Sequence, residues 1–313
     1  MFYFLFSIFA LWILPAVSLG GQPHNHLHTQ SLESIESEIS SLYINGQWIY
    51  LLPADHYKLW LIQTPYSEEG KTREKVFGKL TDSKRIAFPA EIKLANMLTR
   101  FQKQTILIDS RNMFIYALDS EHQFLSSGSI AWDTLLPPQD HNGEATQYEI
   151  DKLRKKFKAS FRASPRDRII GIQQLQPDND KPNYLLSTRI AGYPFLEMEC
   201  DPANITRCQI TRACYTDFNG NQENWHGLGF IPPNNFLVFD TEQQSVLRFQ
   251  KNSCFDFQFK DEHPFPKGYK PIKTISTDEK GKLWFSSTER DPYINANVYF
   301  WPNFETFKQS SQQ

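Results

Sequence analysis

Two short polar stretches of this sequence carry the side chains best suited to bind a metal ion. The first, GQPHNHLH (21–28), places His24, His26 and His28 on alternate residues. Neutral imidazoles at such close spacing bind Cu(II) or Zn(II), but a His-rich tract is also typical of a disordered leader. The residues themselves leave both interpretations open.

The second stretch, DFNGNQE (217–223), places Asp217, Asn219 and Asn221 at the oxygen spacing that begins an EF-hand calcium loop. The sixth position, however, holds Gln222 where an EF-hand needs a glycine to bend the chain. We therefore expect a polar turn between structural repeats here, with a calcium loop as the alternative.

The four cysteines, Cys200, Cys208, Cys214 and Cys254, form an even set without a C-x-x-C pair. In an exported chain such a set predicts disulfides, and the alternative of a zinc site lacks histidines at finger spacing. Three pairings are possible. We expect Cys200–Cys208, because DPANITR (201–207) is rich in turn residues, and Cys214–Cys254, which would connect successive repeats.

The sequence contains no complete catalytic motif. There is no G-x-S-x-G elbow, H-E-x-x-H pair or dinucleotide fingerprint, and EGKT (69–72) lacks the first glycine of a phosphate loop because Pro65 stands there. The formal net charge of -2 gives no basic field to hold nucleic acid or an anionic membrane. These observations favour binding over catalysis and exclude nucleic acid as the expected partner.

The N-terminal stretch MFYFLFSIFALWILPAVSLG (1–20) is strongly apolar and predicts an export signal, cleaved near Ser18. An uncleaved membrane anchor is the alternative, since about 20 apolar residues also span a bilayer. We therefore expect a secreted or periplasmic protein, with no membrane insertion of the mature chain if the leader is removed. Residues 21–42 then form a polar leader, with a short helix candidate at 30–42.

The strand pairs that would position a functional site recur along the sequence. QTILIDSRNMFIYAL (104–118) matches NFLVFDTEQQSVLRF (235–249) in type and spacing, with Asp109 aligned to Asp240. An acidic side chain at the end of a strand usually accepts hydrogen bonds from turn amides, so we interpret both aspartates as structural. Related strand pairs lie near residues 61, 187 and 286.

A period of about 40–50 residues with several short strands is the signature of β-propeller blades. We predict an all-β protein whose residues 43–302 form one propeller of six blades, or alternatively five, followed by a C-terminal tail at 303–313. The widest interval holds EATQYEIDKLRKKFKASF (144–161), whose apolar residues recur at helical spacing. We expect a helical insertion with a solvated basic face, or one that docks a partner or lipid headgroups.

The repeat resembles six-bladed propellers of the NHL and SMP-30 lactonase kind over residues 43–302. GKLWFSSTERDPYINANVYFW (281–301) is also similar to a late blade of the Yellow and major royal jelly proteins. The lactonase resemblance implies a divalent cation, Ca or Zn, in the central channel, held by oxygen ligands from separate blades. The residues that it suggests are Glu91, Asp133, Asn219 and His226.

We therefore expect, first, an exported propeller that binds a small molecule or protein ligand, or acts as a scaffold, with its site at the axial mouth. Loops converge there in a propeller, and no catalytic motif competes with this interpretation. A metal-dependent lactonase or esterase is the second hypothesis. A Yellow-like secreted enzyme is the third.

Overall fold

The computed structural model describes residues 26–27, 39–45, 48–54, 58–63, 84–137, 145–162, 168–175, 182–269, 271–289 and 295–312. The predicted export signal (1–20), residues 69–72 and residues 30–38 of the helix candidate lie outside this part of the chain. The described part of that candidate, residues 39–42, forms the start of a strand and not a helix, so the prediction of a helix was wrong there. No helix among the described residues is long and apolar enough to cross a bilayer.

The described strands form three sheets of four strands and one sheet of eight, in which a parallel pairing of β9 with β13 joins two antiparallel units of four. We call the resulting five antiparallel units blades I to V. Each of the first four blades follows chain order from its inner to its outer strand, and the fifth takes its outermost strand from the N-terminal region. The blades are as follows: I, β2 Ile39–Asn45, β3 Trp48–Pro53, β4 Lys58–Gln63, β5 Lys84–Ala87; II, β6 Met97–Phe101, β7 Gln104–Asp109, β8 Phe114–Leu118, β9 Phe124–Ala131; III, β10 Ile169–Gln174, β11 Asn183–Thr188, β12 Phe195–Asp201, β13 Asn204–Cys214; IV, β14 Trp225–Ile231, β15 Asn235–Asp240, β16 Ser245–Lys251, β17 Phe257–Pro264; V, β18 Ile272–Thr277, β19 Leu283–Glu289, β20 Asn295–Trp301, β1 His26–Leu27.

The inner strands β2, β6, β10, β14 and β18 contact one another in this order, and β18 contacts β2. The blades therefore close into a ring, which confirms the β-propeller fold. Five units of four strands are present among the described residues, and the blade count of the whole chain stays a prediction. The widest interval between related strand pairs contains helix α1, Gln147–Arg162, between β9 and β10.

The two ends of the chain meet in blade V. His26 and Leu27 pair antiparallel with Tyr299 and Val298 of β20. Trp284 and Phe300 of blade V lie in one buried cluster with apolar residues of blade I. The ring is thus closed both by strand pairing and by burial of apolar surface, and such closure leaves few exposed strand edges.

Glycines let the inner strands approach closely on one side of the ring. Gly227 of β14 has φ +77°, and a Cβ atom there would lie 2.4 Å from the carbonyl oxygen of Ile275 in β18. A Cβ atom on Gly171 of β10 would lie 2.5 Å from the carbonyl carbon of Gly227. Since no side chain fits in either place, the sequence requires glycine where blades III, IV and V meet.

The two aligned aspartates have the predicted structural role. Asp109 Oδ1 accepts hydrogen bonds from the backbone N–H groups of Arg111 and Asn112, at 3.0 and 3.1 Å. Asp240 Oδ1 accepts from Glu242 and Gln243 in the same way, at 2.9 and 3.0 Å. Each carboxylate therefore closes the turn between the second and third strands of its blade.

Both predicted disulfides are present. Cys200–Cys208 joins residues that face each other across the β12–β13 hairpin. Cys214–Cys254 joins the end of β13 in blade III to the connection between β16 and β17 in blade IV. The second bridge therefore connects successive repeats, and the described residues contain no free cysteine.

The predicted insertion is helix α1. Its first turn carries a capping box, in which the backbone N–H of Thr146 donates to Glu149 Oε2 at 2.8 Å and the N–H of Glu149 donates to Thr146 Oγ1 at 3.3 Å. Leu153 and Phe157 are buried at the helical spacing expected from the sequence. Residues assigned to the C-terminal tail form a second helix, α2 Phe304–Ser311, which packs on β17 and β20.

Candidate functional site

A cleft of about 320 Å³ opens between blades III and IV. Its first wall is the turn after β11, residues 189–194, and its second wall is the connection from β13 to β14, residues 215–223. The volume is that of a small-molecule site, and loops carried on a rigid scaffold are the usual place for one. The cleft lies beside the start of the inner strand β14.

The first wall is fixed to blade IV by Arg189. Its Nε and Nη2 atoms donate to the backbone carbonyl oxygen of Trp225, at 3.2 and 3.0 Å. Its backbone N–H donates to the carbonyl oxygen of Arg168 at 2.8 Å. Because these bonds reach two other elements, the turn is held at a set distance from the second wall.

Aromatic packing supports the second wall from below. The ring of Phe218 lies 5.3 Å from that of Trp225, 5.8 Å from Phe249 and 5.0 Å from Phe259, between ring centroids. A Cβ atom on Gly220 would lie 2.2 Å from the Phe218 ring, so glycine is required for the chain to fold over it. The floor of the cleft is therefore a rigid part of the core.

The polar groups of the second wall are mainly amides. Asn219 and Asn221 are exposed, and Asn221 Oδ1 accepts from the N–H of Glu223 at 3.0 Å. Gln222 is buried, and within the described part of the chain its Oε1 atom has no hydrogen-bond partner. The Glu223 carboxylate accepts from Arg168 Nη1 at 3.2 Å. These groups offer both donors and acceptors to a ligand.

One large aromatic side chain stands at the rim. Tyr215 is 53% exposed, and its backbone N–H donates to the carbonyl oxygen of Cys254 at 3.0 Å. Because Tyr215 directly follows Cys214, the Cys214–Cys254 bridge also restricts its position. Because the backbone at Tyr215 is fixed in this way, its exposed ring can stack on a ligand with little loss of backbone entropy.

Three of the four residues suggested as metal ligands share a topological place, but the four do not share a common centre. Glu91 and Asp133 are exposed, in the β5–β6 and β9–β10 connections, and Asn219 is exposed in the cleft wall. His226 is half-buried at the second residue of β14. Glu91, Asp133 and Asn219 therefore lie between an outer strand and the next inner strand, whereas His226 lies within the start of an inner strand.

Among the described residues, one group of three His, Cys, Asp or Glu side chains is close enough to hold a metal ion: Glu197, Cys214 and Cys254. Its two sulfur atoms form a disulfide, so they are not available as thiolate ligands. Of the histidine tract, only His26 is described, and it lies in strand β1. His24 and His28 fall outside the described residues.

A second polar cluster lies at the opposite end of the inner strands. Arg100 Nη1 donates to the Tyr50 hydroxyl at 2.9 Å, and the rings of Tyr50 and Tyr43 lie 6.2 Å apart. Burial raises the pKa of Tyr43 to about 12, and the nearby negative charge of Glu279 adds to this effect. Both phenols are therefore neutral at physiological pH, and they pack between blades I and II.

The fold defines the class: the chain is a β-propeller. No protein-family model and no curated protein matches it. Similar solved structures include virginiamycin B lyase from Staphylococcus aureus, with 8% identity, a TM-score of 0.39 and coverage of 90% of this chain and 75% of that chain. Glutaminyl cyclase from Myxococcus xanthus has 9% identity, a TM-score of 0.47 and coverage of 89% and 95%. We transfer no function from similarities this low.

Sequence reasoning found part of this site. It singled out residues 217–223 as a polar turn and Asn219 as a candidate ligand, but it missed Arg189 and Tyr215. The predicted Cys214–Cys254 bridge was a signal for Tyr215, because a residue next to a bridge is held in place. Nothing in the local pattern around Arg189 indicates that its side chain reaches Trp225.

Proposed function

We propose that this protein is an exported β-propeller that binds a saccharide in the cleft between residues 189–194 and 215–223. The observation that carries the proposal is the combination of amide side chains, the Glu223 carboxylate and the exposed ring of Tyr215 around one cleft of about 320 Å³. Sugar hydroxyls both donate and accept hydrogen bonds, as do amides, and the apolar face of a sugar ring stacks on an aromatic side chain.

Export is supported by the two disulfides, since such bonds persist in oxidising compartments. It is also supported by the apolar N-terminal stretch, which is typical of a signal peptide. Saccharides are abundant outside cells as polymers and conjugates, which makes them suitable ligands for an exported binding protein. A ligand site at the axial mouth, as expected from the sequence, stays a prediction. The location that we propose for the saccharide is the cleft.

Calorimetric titration of purified protein with a panel of neutral and acidic oligosaccharides tests this function. Tyr215→Ala and Asn219→Ala should each weaken binding about tenfold, because each removes one contact worth roughly 1.4 kcal/mol. Phe255→Ala is the matched control, since Phe255 is also an exposed aromatic residue but does not line the cleft. Equal affinities for wild type and both cleft variants would reject the cleft as the site.

The second candidate is a metal-dependent lactonase or esterase. The observation that favours it is the place of Glu91, Asp133 and Asn219 between outer and inner strands, with His226 at the start of the inner strand β14. Metal analysis and assays of lactone and aryl-ester hydrolysis test it, with Glu91→Gln as the variant. Metal-dependent turnover that is lost in Glu91→Gln would establish the enzyme. No observation favours a Yellow-like activity in particular.

A further inference from the structure

The cleft borders a strongly basic helix. We propose that the saccharide bound by this protein is anionic, and that lysines of α1 bind its sulfate or carboxylate groups while the cleft holds a sugar ring. This inference rests on the proposed function, because it adds the charge of the ligand to the site already described.

The outward face of α1 carries concentrated positive charge. Its four exposed lysines are Lys152, Lys155, Lys156 and Lys158. Neighbouring like charges at helical spacing repel one another, and opposite charges on the same helix normally relieve this repulsion. An anionic ligand that lies along the helix would also reduce the repulsion between the lysines.

The acidic residues of α1 are engaged elsewhere. Glu149 caps the helix through Thr146, and Asp151 accepts from Gln147 Nε2 at 2.9 Å. None of the four lysines forms an ion pair within the part of the chain that the structure describes. Their charge is therefore not neutralised there by carboxylates, although the whole chain has a net charge of only -2.

The basic face is held in a fixed position. Phe157 is buried against Trp132, with ring centroids 5.4 Å apart, and Arg154 Nε donates to the carbonyl oxygen of Leu135 at 3.2 Å. Near the C-terminal end of the helix, Arg168 Nε donates to the carbonyl oxygen of Ser160 at 3.2 Å. A preorganised array of charges binds a charged ligand with a smaller entropic penalty than a mobile one.

The helix and the cleft are physically continuous. Lys156 Nζ lies 5.2 Å from the ring centroid of Tyr193, within the first wall of the cleft. A Cβ atom on Gly192, which lines the cleft, would lie 3.5 Å from the same Nζ atom. The ammonium group of Lys156 therefore stands next to the wall, where it can reach a charged substituent on a sugar held in the cleft.

The carboxylate of Glu223, which lines the cleft, does not prevent the binding of an anionic ligand. Glu223 is paired with Arg168, the residue that also contacts the C-terminal end of α1. The pairing offsets the negative charge of Glu223, while Arg189 adds a positive charge in the first wall. Asp217 of the second wall adds a negative charge, and its Oδ1 atom accepts from the backbone N–H of Phe259 at 2.7 Å. The excess of positive charge that favours an anion therefore comes from the four lysines of α1.

A saccharide fits these observations better than a lipid surface. Among the side chains of α1 that the structure describes, one large apolar group is exposed, that of Tyr148, at 74%. Interfacial helices bury a broad apolar face in the membrane, and here the apolar residues Leu153 and Phe157 are used in the protein core. The adjoining cleft instead supplies amides and an aromatic ring that suit a sugar.

The test compares a sulfated octasaccharide prepared from heparin with its desulfated, N-acetylated and carboxyl-reduced form, which carries no charge, by calorimetric titration against the full chain. The first variant replaces all four helix lysines, Lys152, Lys155, Lys156 and Lys158, by glutamine. The control replaces four exposed lysines elsewhere, Lys103, Lys260, Lys267 and Lys280, and so changes the net charge equally. Circular dichroism and thermal unfolding establish that each variant folds.

We expect wild type to prefer the sulfated form, and the helix variant to lose about tenfold or more in affinity for it, whereas the control stays within about twofold. Added salt should weaken binding of the sulfated form only. Equal binding of the two forms, no binding of either, or equal losses in the helix variant and the control would each overturn the proposal.

The Tyr215→Ala variant distinguishes failure of the anionic-ligand proposal from failure of the proposed saccharide site. Weaker binding of both saccharides in Tyr215→Ala, with no effect of the lysine replacements, would retain the saccharide cleft and reject the anionic ligand. If the lysine variant loses binding while Tyr215→Ala keeps the wild-type affinity, both the saccharide cleft and the proposed anionic ligand in it would be rejected. The sugar would then not occupy the cleft.

Discussion

The guanidinium group of Arg189, which directly follows strand β11 of blade III, donates two hydrogen bonds to the carbonyl oxygen of Trp225, the first residue of the inner strand of blade IV. The distances from Nε and Nη2 are 3.2 and 3.0 Å. This contact spans the interface between two blades and also sets the position of one wall of the cleft. Stability and binding are therefore coupled at Arg189.

Replacement of Arg189 by glutamine should lower the free energy of unfolding by about 1–3 kcal/mol, because it removes charge-assisted hydrogen bonds to a backbone carbonyl group. Saccharide affinity should fall as well, since the first wall loses its anchor. Urea unfolding and calorimetry measure the two effects. Arg207→Gln, at an exposed position of β13, is the control, and an equal loss of stability there would contradict the assigned role.

Replacement of Gly227 by alanine should destabilise the ring by about 3 kcal/mol or more, as left-handed backbone strain and overpacking add together. Gly268 provides the matched control. It also has a positive φ, +87° against +77°, but a Cβ atom there would meet nothing within 4 Å. Gly268→Ala should therefore cost only about 1 kcal/mol. Similar losses in the two variants, measured by urea unfolding, would show that blades IV and V are less closely packed than described.

The two disulfides should contribute unequally to stability. They span 8 and 40 residues, and loop entropy gives about 2.5 kcal/mol for the shorter and about 4 kcal/mol for the longer. Paired replacement of each set of cysteines by alanine, followed by chemical unfolding, checks this order. Loss of the Cys214–Cys254 bridge should also weaken saccharide binding through Tyr215, whereas loss of Cys200–Cys208 should not.

Alkaline pH should destabilise the protein through Tyr43. Burial raises the pKa of this phenol from 10.0 to about 12 in the folded state, so the folded protein retains its proton where the unfolded chain loses it. The resulting stabilisation of the neutral form is fully present below pH 10 and is lost as the pH rises towards 12. Unfolding at a series of pH values measures this slope, which Tyr43→Phe should reduce. An unchanged slope in Tyr43→Phe would assign it to other groups, and Tyr148→Phe controls for removal of an exposed hydroxyl.

Local patterns were sufficient to predict much of the fold. The strand pairs around Asp109 and Asp240, helix α1 and both disulfides follow from spacing and residue type over short stretches. Ring closure through His26 and Leu27 could not be predicted, because two residues are too few to indicate a strand and their partner strand lies at the far end of the sequence. The number of blades was harder to predict than the propeller fold, because a helical insertion and a missing strand pair look alike in a count of intervals.

Only one of the two walls of the cleft could be predicted from the sequence. Its second wall is one continuous polar stretch, whereas its first wall comes from a turn whose position depends on the contact of Arg189 with blade IV. The basic helix was recognised as a possible docking surface. Its continuity with the cleft depends on Lys156 and Tyr193, which are brought together only by the packing of α1.

Photo-crosslinking tests the location of the ligand most directly. A sulfated octasaccharide that carries a diazirine is irradiated with the full chain, and the labelled peptides are identified by mass spectrometry. The account predicts labels in residues 189–194 and 215–223 and in α1, all suppressed by excess unlabelled octasaccharide. Suppressible labels confined to other regions, such as the opposite end of the ring near Tyr43, would contradict it.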